Sequence, residues 1–513
     1  MSRRPHSLVQ SWPADSPEAT AALTPRDDVV TERLIEHGVD HRPHAFEQVE
    51  GPFTEYHRSV RSTDNSVEQT TVYRLHIPWF GWLFERPIRS SLRHRRPSGS
   101  RPPWWAPPDK LSPAQVATLG LLAAASLAAA FINTVFTQTA NFAADDFGIS
   151  SSGQGLGGVV VRLGIVIAIP FAVLADRKGR RKMIVITAWL APLFTALGAI
   201  APTFWVLVAT QAVGRPLSIA LALLVGVVVA EEMPRNSRTY ALSVLALAGG
   251  MGAGVAVASL PLADMGSGGW RFIYLIALVW LLAAAHLARS LPETRRFELP
   301  HRTSPPLHRR RFTTVAFIAV SANLFVAPAS FFQNRYLDDV RGFSASSIAL
   351  FTLSTGTPAS LGLVLGGRLA DTVGRRVVLI TCMPLATSLV VMSFNVSGPL
   401  MWLSALFGGL MGGLAYPAFA VYRTELFPTG NRARASGWIT AISLVGSSVG
   451  LVLAGRLIDH GWSYGRVMLA LAGAQVLAAI VAFTAYPESA HMELEELNPE
   501  DDAIVTGLAA SSP

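Results

Sequence analysis

Residues 174–183 read LADRKGRRKM, and residues 369–378 read LADTVGRRVV. In the first phrase six of the seven residues from Asp176 to Lys182 are charged, although long apolar runs stand on both sides. Asp176 precedes Asp371 by 195 positions, and Gly179, Arg180 and Arg181 precede Gly374, Arg375 and Arg376 by the same interval. Other pairs keep that offset: Gln138 with Gln333, Arg271 with Arg466, and Pro292-Glu293 with Pro487-Glu488. EEMPRNSR (Glu231, Pro234, Arg238) and ELFPTGNR (Glu425, Pro428, Arg432) both fit E-x-x-P-x-x-x-R, at an offset of 194. One such match would carry little, but a series at one interval is a duplication.

The duplicated unit is apolar. Half of the 513 residues are hydrophobic and 15% are charged, against roughly a quarter in soluble domains; the mean hydropathy is +0.38. Twelve apolar spans lie near 114–140, 156–175, 183–201, 204–230, 240–263 and 271–290, then 313–333, 347–366, 377–395, 399–424, 435–457 and 466–486. Each approaches the ~20 residues that a membrane helix requires. RKGRRK, EEMPRNSR, the Arg-rich 289–312 segment, DTVGRR and RTELFPTGNRAR connect them on one side, whereas GISSSGQ, PTF, DMGSGG, NVSGP and DHGWS on the other have scarcely a basic residue. Positive-inside bias puts the basic loops and both termini in the cytosol. The net charge of +8 then reflects topology and anionic lipid headgroups, and no nucleic-acid partner is expected. The expected fold is an all-α membrane protein with twelve transmembrane helices in two parallel-related halves, 113–290 and 313–487. A cytosolic basic linker, 291–312, joins them, and 488–513 is a cytosolic tail. Repeats of this kind place a binding site at their interface near mid-membrane and work by alternating access.

Residues 1–112 are polar and hold seven of the twelve histidines. They lack the apolar core of a signal peptide and read as a cytosolic extension, mostly disordered. A membrane-surface segment is expected near 77–96, where Trp79, Phe80, Trp82, Leu83 and Phe84 precede Arg86, Arg89, Arg93, Arg95 and Arg96. The single cysteine, Cys382, excludes an intramolecular disulfide and a cysteine-based metal cluster. The histidines have no metal-ligand spacing, and GGMGAG at 249–254 follows no strand, so neither metal nor nucleotide cofactor is expected. Nothing points to an enzyme.

These residues resemble the major facilitator superfamily of secondary transporters over about 115–490. Its phrase G-x-L-A-D-r-x-G-R-[RK] appears as AVLADRKGRRK, with Ala172 at the first glycine, and as GRLADTVGRR, with Gly367 intact. The paired E-x-x-P-x-x-x-R and Pro-Glu elements look like the branch of sugar porters and organic-ion symporters. Span 5 lacks the glycine-proline pair of the antiporter phrase, its only proline, Pro261, coming late. The resemblance implies that spans 1, 4, 7 and 10 line the cavity. The charged phrase reads as a gating latch, in which Asp176 or Asp371 pairs with a basic group or a helix N-terminus across the interface. Gly179 and Gly374 supply the turn. Arg180, Arg181, Arg375, Arg376, Glu231, Arg238, Glu425 and Arg432 complete a charge network. A topology-setting loop and helix punctuation are the alternatives.

Arg215 lies 16 residues before Glu231, ~24 Å along a helix, near mid-bilayer. A charge there costs at least ~2.5 kcal/mol and needs a partner or a watery cavity. It reads as a substrate-anion or coupling residue, or as a structural pair. Asn133, Thr137 and Asn141 are spaced by four and share one helical face. With Gln138, Asn323, Gln333 and the span 10 tyrosines, Tyr416 and Tyr422, they are the substrate-contact candidates, against interhelical hydrogen bonding. The AFINT stretch, Ala130 to Thr134, resembles the place where proton-coupled sugar porters carry an aspartate, and the resemblance puts Asn133, which cannot titrate, at that position. Proton coupling therefore falls to Asp145 or Asp146, with Arg162 as their expected partner, and a passive uniporter stays open. Gly250, Gly254, Gly446 and Gly450 are expected to allow close helix approach. The expected function is a proton-coupled symporter of a sugar-like solute or organic acid, monomeric, in the plasma membrane. Efflux antiport, passive transport or a non-transporting sensor are the alternatives.

Overall fold

The computed structural model describes residues 5–36, 44–97, 103, 105–164, 170–171, 174–175, 178–234, 237–293, 308–427 and 432–488. The N-terminal extension is not mostly disordered. Strands β1 (His6–Pro13), β2 (Thr31–Glu36), β3 (His44–Glu50), β4 (Phe53–Ser62) and β5 (Ser66–Leu75) form an antiparallel sheet in the order β1-β5-β4-β3-β2. In β5, Val67, Gln69, Thr71 and Tyr73 are buried at a spacing of two, the strand period. The sequence hid this core because part of it is charged. Arg58 is fully buried, and its Nε and Nη2 donate to Glu32 at 2.8 and 2.5 Å while Nη1 donates to Ala22 O at 2.6 Å. A buried ion pair so satisfied is tolerated, yet hydropathy alone counts both residues as surface. Helix α1 (Pro17–Ala22) and α2 (Gly81–Arg93) pack on the sheet. The arginine-rich segment is thus a sheet-packed helix, its Ile88 and Leu92 buried beside Leu8, Phe53 and Tyr73, with Trp82 left 66% exposed.

The apolar spans become α3 (Pro113–Asp146), α4 (Ser151–Leu163), α5 (Arg180–Ala196), α6 (Phe204–Glu232), α7 (Arg238–Ala258) and α8 (Trp270–Ser290) in the first half. The second half has α9 (Arg309–Phe331), α10 (Gln333–Asp339), α11 (Ala345–Val373), α12 (Arg375–Ser393), α13 (Gly398–Glu425), α14 (Arg432–Asp459) and α15 (Tyr464–Ala485). Ten helices among the described residues are long and apolar enough to cross a membrane, α9 and α10 counting as one. The expected second span lies partly outside the described residues. The eighth is α11, a 29-residue helix with several Ser, Thr and Gly.

Glycines set the closest contacts. A Cβ on Gly252 would lie 2.0 Å from Leu127 O, joining α7 to α3, and one on Gly446 would lie 2.1 Å from Val320 O, joining α14 to α9. Gly450 likewise meets Leu324 O. Gly250 and Gly254 face open space, so Gly252, 194 before Gly446, is the packing glycine of span 5. Between the halves, a Cβ on Gly155 of α4 would lie 2.7 Å from Leu451 O, and one on Gly455 of α14 2.7 Å from Ser151 O. Phe136 and Phe331 also meet across this seam, ring centroids 6.2 Å apart.

Candidate functional site

Gly164, just after α4, lies so close to α6 that a Cβ would be 2.4 Å from Ala212 O. This contact brings Arg162 and Arg215 onto one wall, near enough for their charges to act on each other. The Arg215 Nε donates to Asn133 Oδ1 at 2.6 Å, linking α6 to α3. Among the described residues neither guanidinium has a carboxylate partner, and Arg162 Nε is buried without a hydrogen bond. The pairing of Arg162 with Asp145 or Asp146 that the sequence suggests is therefore not formed. A wall with two cations and one neutral amide is suited to an anion.

Those aspartates lie farther along, at the end opposite the LAD loops. Asp146 stays within its own half, accepting from Arg271 Nη1 at 2.7 Å and Trp270 Nε1 at 3.2 Å. Asp145 reaches across: Arg335 of α10 is 3.5 Å away. Arg335 also donates to Gln154 at 2.7 Å and to Asp339 at 3.2 Å, and Tyr464 donates to Asp339 at 2.7 Å. Asn141 Nδ2 donates to Asp338 at 3.4 Å, while Asn334 Nδ2 donates to Gln138 O and Oε1 at 2.8 and 2.9 Å. Asn141 and Gln138 thus serve a seam between the halves. Gln333, the repeat mate of Gln138, is half-buried beside that contact, and Thr137 is half-buried on α3.

Two more carboxylates cross the same seam as helix caps. Asp459, ending α14, accepts from Ser152 N at 2.9 Å at the start of α4. Asp264 accepts from Ala345 N and Ser346 N at 2.8 and 2.9 Å at the start of α11. Asp264 and Ser151 precede Asp459 and Ser346 by 195 each. Each half therefore caps a helix of the other, and the repeat offset is the signal that could have found this. The end is closed by reciprocal polar contacts.

The LAD end is organised within each half. Glu293 Oε1 accepts from the backbone N of Arg180 and Arg181 at 3.0 and 3.1 Å, and Glu488 from those of Arg375 and Arg376 at 2.8 and 3.1 Å. Arg181 donates to Ala288 O at 2.8 Å, and Arg376 to Phe483 O. Gly179 and Gly374 have φ of +97° and +120°, a region only glycine enters freely. Asp176 lies outside the described residues, as do the side chains of Glu231, Arg238, Asp371, Glu425 and Arg432.

The other candidates separate. Asn323 bonds to Ala319 O at 2.9 Å and accepts from Ser447 at 3.4 Å, tying α9 to α14. Tyr422 is fully buried, donates to Pro487 O at 2.9 Å and packs on Tyr486, which makes it structural. Tyr416 is exposed.

The sequence model of the Major Facilitator Superfamily matches residues 121–357 and 312–503. The chain is 25% identical over 274 residues to the cis,cis-muconate transport protein of Acinetobacter baylyi, covering 49% of this chain and 65% of that protein. It is 30% identical over 197 residues to a citrate-proton symporter of Salmonella typhi, covering 34% and 43%. Its fold is similar to the crystal structure of a D-xylose-proton symporter, with a TM-score of 0.63 and 17% identity over 72% of this chain and 98% of the other.

Proposed function

The chain belongs to the Major Facilitator Superfamily and is a multi-pass membrane protein that transports small organic solutes; from that premise we propose that its solute is an organic carboxylate taken up together with protons. The observation that carries this reading is the wall holding Arg162 and Arg215, two interior guanidiniums whose one side-chain bond among the described residues goes to Asn133. A carboxylate supplies the missing counter-charge and accepts charge-assisted hydrogen bonds from both. The muconate and citrate relatives, both carriers of acids by name, support the same class.

Proton coupling falls to the seam. Among the described residues, Asp145, Asp338 and Asp339 share Arg335 as their cation, with Asn141, Gln154 and Tyr464 around them. Three ionised carboxylates around one guanidinium repel, and protonating one relieves that repulsion, so the closed seam is the protonated state. Deprotonation favours parting. In this reading the chain has twelve spans, the LAD loops and both termini are cytosolic, and a monomer in the plasma membrane works by alternating access. Asp176 and Asp371, with the E-x-x-P-x-x-x-R elements, latch the cytosolic end.

The test is uptake into proteoliposomes of labelled muconate, citrate and xylose, with and without an inward proton gradient. Accumulation of an acid that the gradient drives is expected. Flux of xylose but of neither acid would overturn the carboxylate reading, and gradient-independent equilibration of an acid would replace symport by passive transport.

A further inference from the structure

A cavity of about 350 Å³ lies where the N-terminal domain meets α3 and α7, within the ~300–1,000 Å³ range of small-molecule sites. One wall is Leu119 and Ala123 of α3, the next Val244, Leu247 and Met251 of α7, and the cover is Phe80, Leu83 and Phe84. The cover is docked tightly: a Cβ on Gly120 of α3 would lie 2.9 Å from Pro78 Cδ. Trp79 holds a left-handed backbone with φ +67°, a strained conformation for a tryptophan that surrounding packing must enforce. Its ring meets His286 of α8 at 6.4 Å. A second hollow of about 160 Å³ lies under Trp79 and Trp82, against Leu127 and Ala283. The aromatic segment therefore forms an arch across α7, α3 and α8, with apolar space under both limbs.

We propose that the larger cavity is a phospholipid site, holding an acyl chain between α3, α7 and the arch, with an anionic headgroup toward Arg96 and the arginines of α2. Three observations select this occupant. Leu247 is 68% exposed and Met251 39% exposed on the flank of a membrane-crossing helix, so the cavity wall continues into surface that hydrocarbon covers. The cavity sits at the basic-loop end, where α3 and α7 leave the membrane, as the Asp109 N bond to Ser237 Oγ and the Tyr240 OH bond to Trp105 O show. Arg96 and Lys110 line it together with Asp27, Asp28 and Asp109. Asp27 is paired with Lys110 and Asp28 with Arg26, and outside the lining Arg86, Arg89 and Arg93 are exposed on α2, so the surroundings of the mouth supply the basic groups that favour anionic headgroups. A water-borne apolar solute would account for the hollow but not for the open hydrocarbon-facing wall. The lipid bridges the N-terminal domain to α3 and α7 and so holds the domain on the transporter.

The full chain in phosphatidylcholine vesicles, doped with phosphatidylglycerol bearing a photoactivatable diazirine on its acyl chain, tests this by peptide mapping after irradiation. Label is expected to concentrate on 80–84, 116–123 and 244–251, and unlabelled phosphatidylglycerol should displace it better than phosphatidylcholine. Leu247→Trp narrows the mouth at an exposed position, so folding is retained, and should lower label at these peptides to the background of other membrane-facing helices. Ala123→Phe should do the same if it folds. Label spread evenly over the membrane surface, or unchanged in Leu247→Trp, overturns the site. Equal displacement by phosphatidylcholine overturns the headgroup assignment.

Discussion

The carboxylate of Glu293 lies 3.0 Å from the backbone nitrogen of Arg180. It caps a helix that begins with two arginines, and Glu488 repeats the contact at Arg375. A charge at a helix N-terminus contributes about 0.3–1 kcal/mol, so Glu293→Gln and Glu488→Gln should each lower the melting temperature slightly. Gly179→Ala should cost more. Its Cβ would lie 2.6 Å from Glu293 Oε2, and the positive φ adds ~1–2 kcal/mol of strain. A thermal unfolding series in which Gly179→Ala matches the parent would remove the cap from this account.

Arg215→Ala should abolish acid uptake, and Arg215→Lys should restore it only in part, because lysine lacks the planar fork. Arg162→Ala should weaken acid binding about tenfold, ~1.4 kcal/mol, read by thermal shift against the acid. Full activity in Arg215→Ala would make that arginine a helix tie.

Asp338→Asn imitates the protonated seam permanently. Gradient-driven accumulation should disappear, and exchange of external for internal acid should slow because this end stays closed for more of the time; accumulation at the parent level would clear Asp338 of any coupling role. Asp145→Asn should behave alike, whereas Asp146→Asn, which disturbs only contacts inside its own half, with Arg271 and Trp270, should not uncouple transport.

In the N-terminal domain, burial opposes the charge of Asp28, but the Arg26 guanidinium 2.9 Å away outweighs it and holds the carboxyl below its ordinary value. Arg26 also donates to Leu92 O and Ser91 O at 2.9 Å, fastening α2. With the folded pKa depressed, this stabilisation is present above the unfolded value of ~3.9 and is lost as pH falls through the folded one. Hydrogen exchange at α2 should therefore accelerate below about pH 4. Asp28→Asn should exchange faster already at neutral pH and show a flatter acid response.

Hydropathy and the 195-residue offset made the two halves, the interior Arg215 and the Pro-Glu pairs legible, because each is a property of the chain read alone. Partnerships were harder. Arg162 stands within reach of Asp145 and Asp146 when the chain is read as a straight ladder, but in the fold its charge acts on Arg215 and its Nε is buried without a hydrogen bond. The reciprocal caps of Asp264 and Asp459 kept the offset yet looked like ordinary loop residues, since their partners are backbone nitrogens in the other half. The sheet was missed because Glu32 and Arg58 satisfy each other inside it.

Gly155 and Gly455 meet opposing backbone at the seam with no side chain between. Interlocked side chains would have to withdraw before one half could turn on the other, as teeth must clear a gear. Two bare backbones can pivot without disengaging, so in the proposed rocking motion this contact would serve as a bearing beside the Asp264 and Asp459 caps. A bulkier residue at either glycine would act as a wedge, holding this end ajar whatever solute or proton is bound.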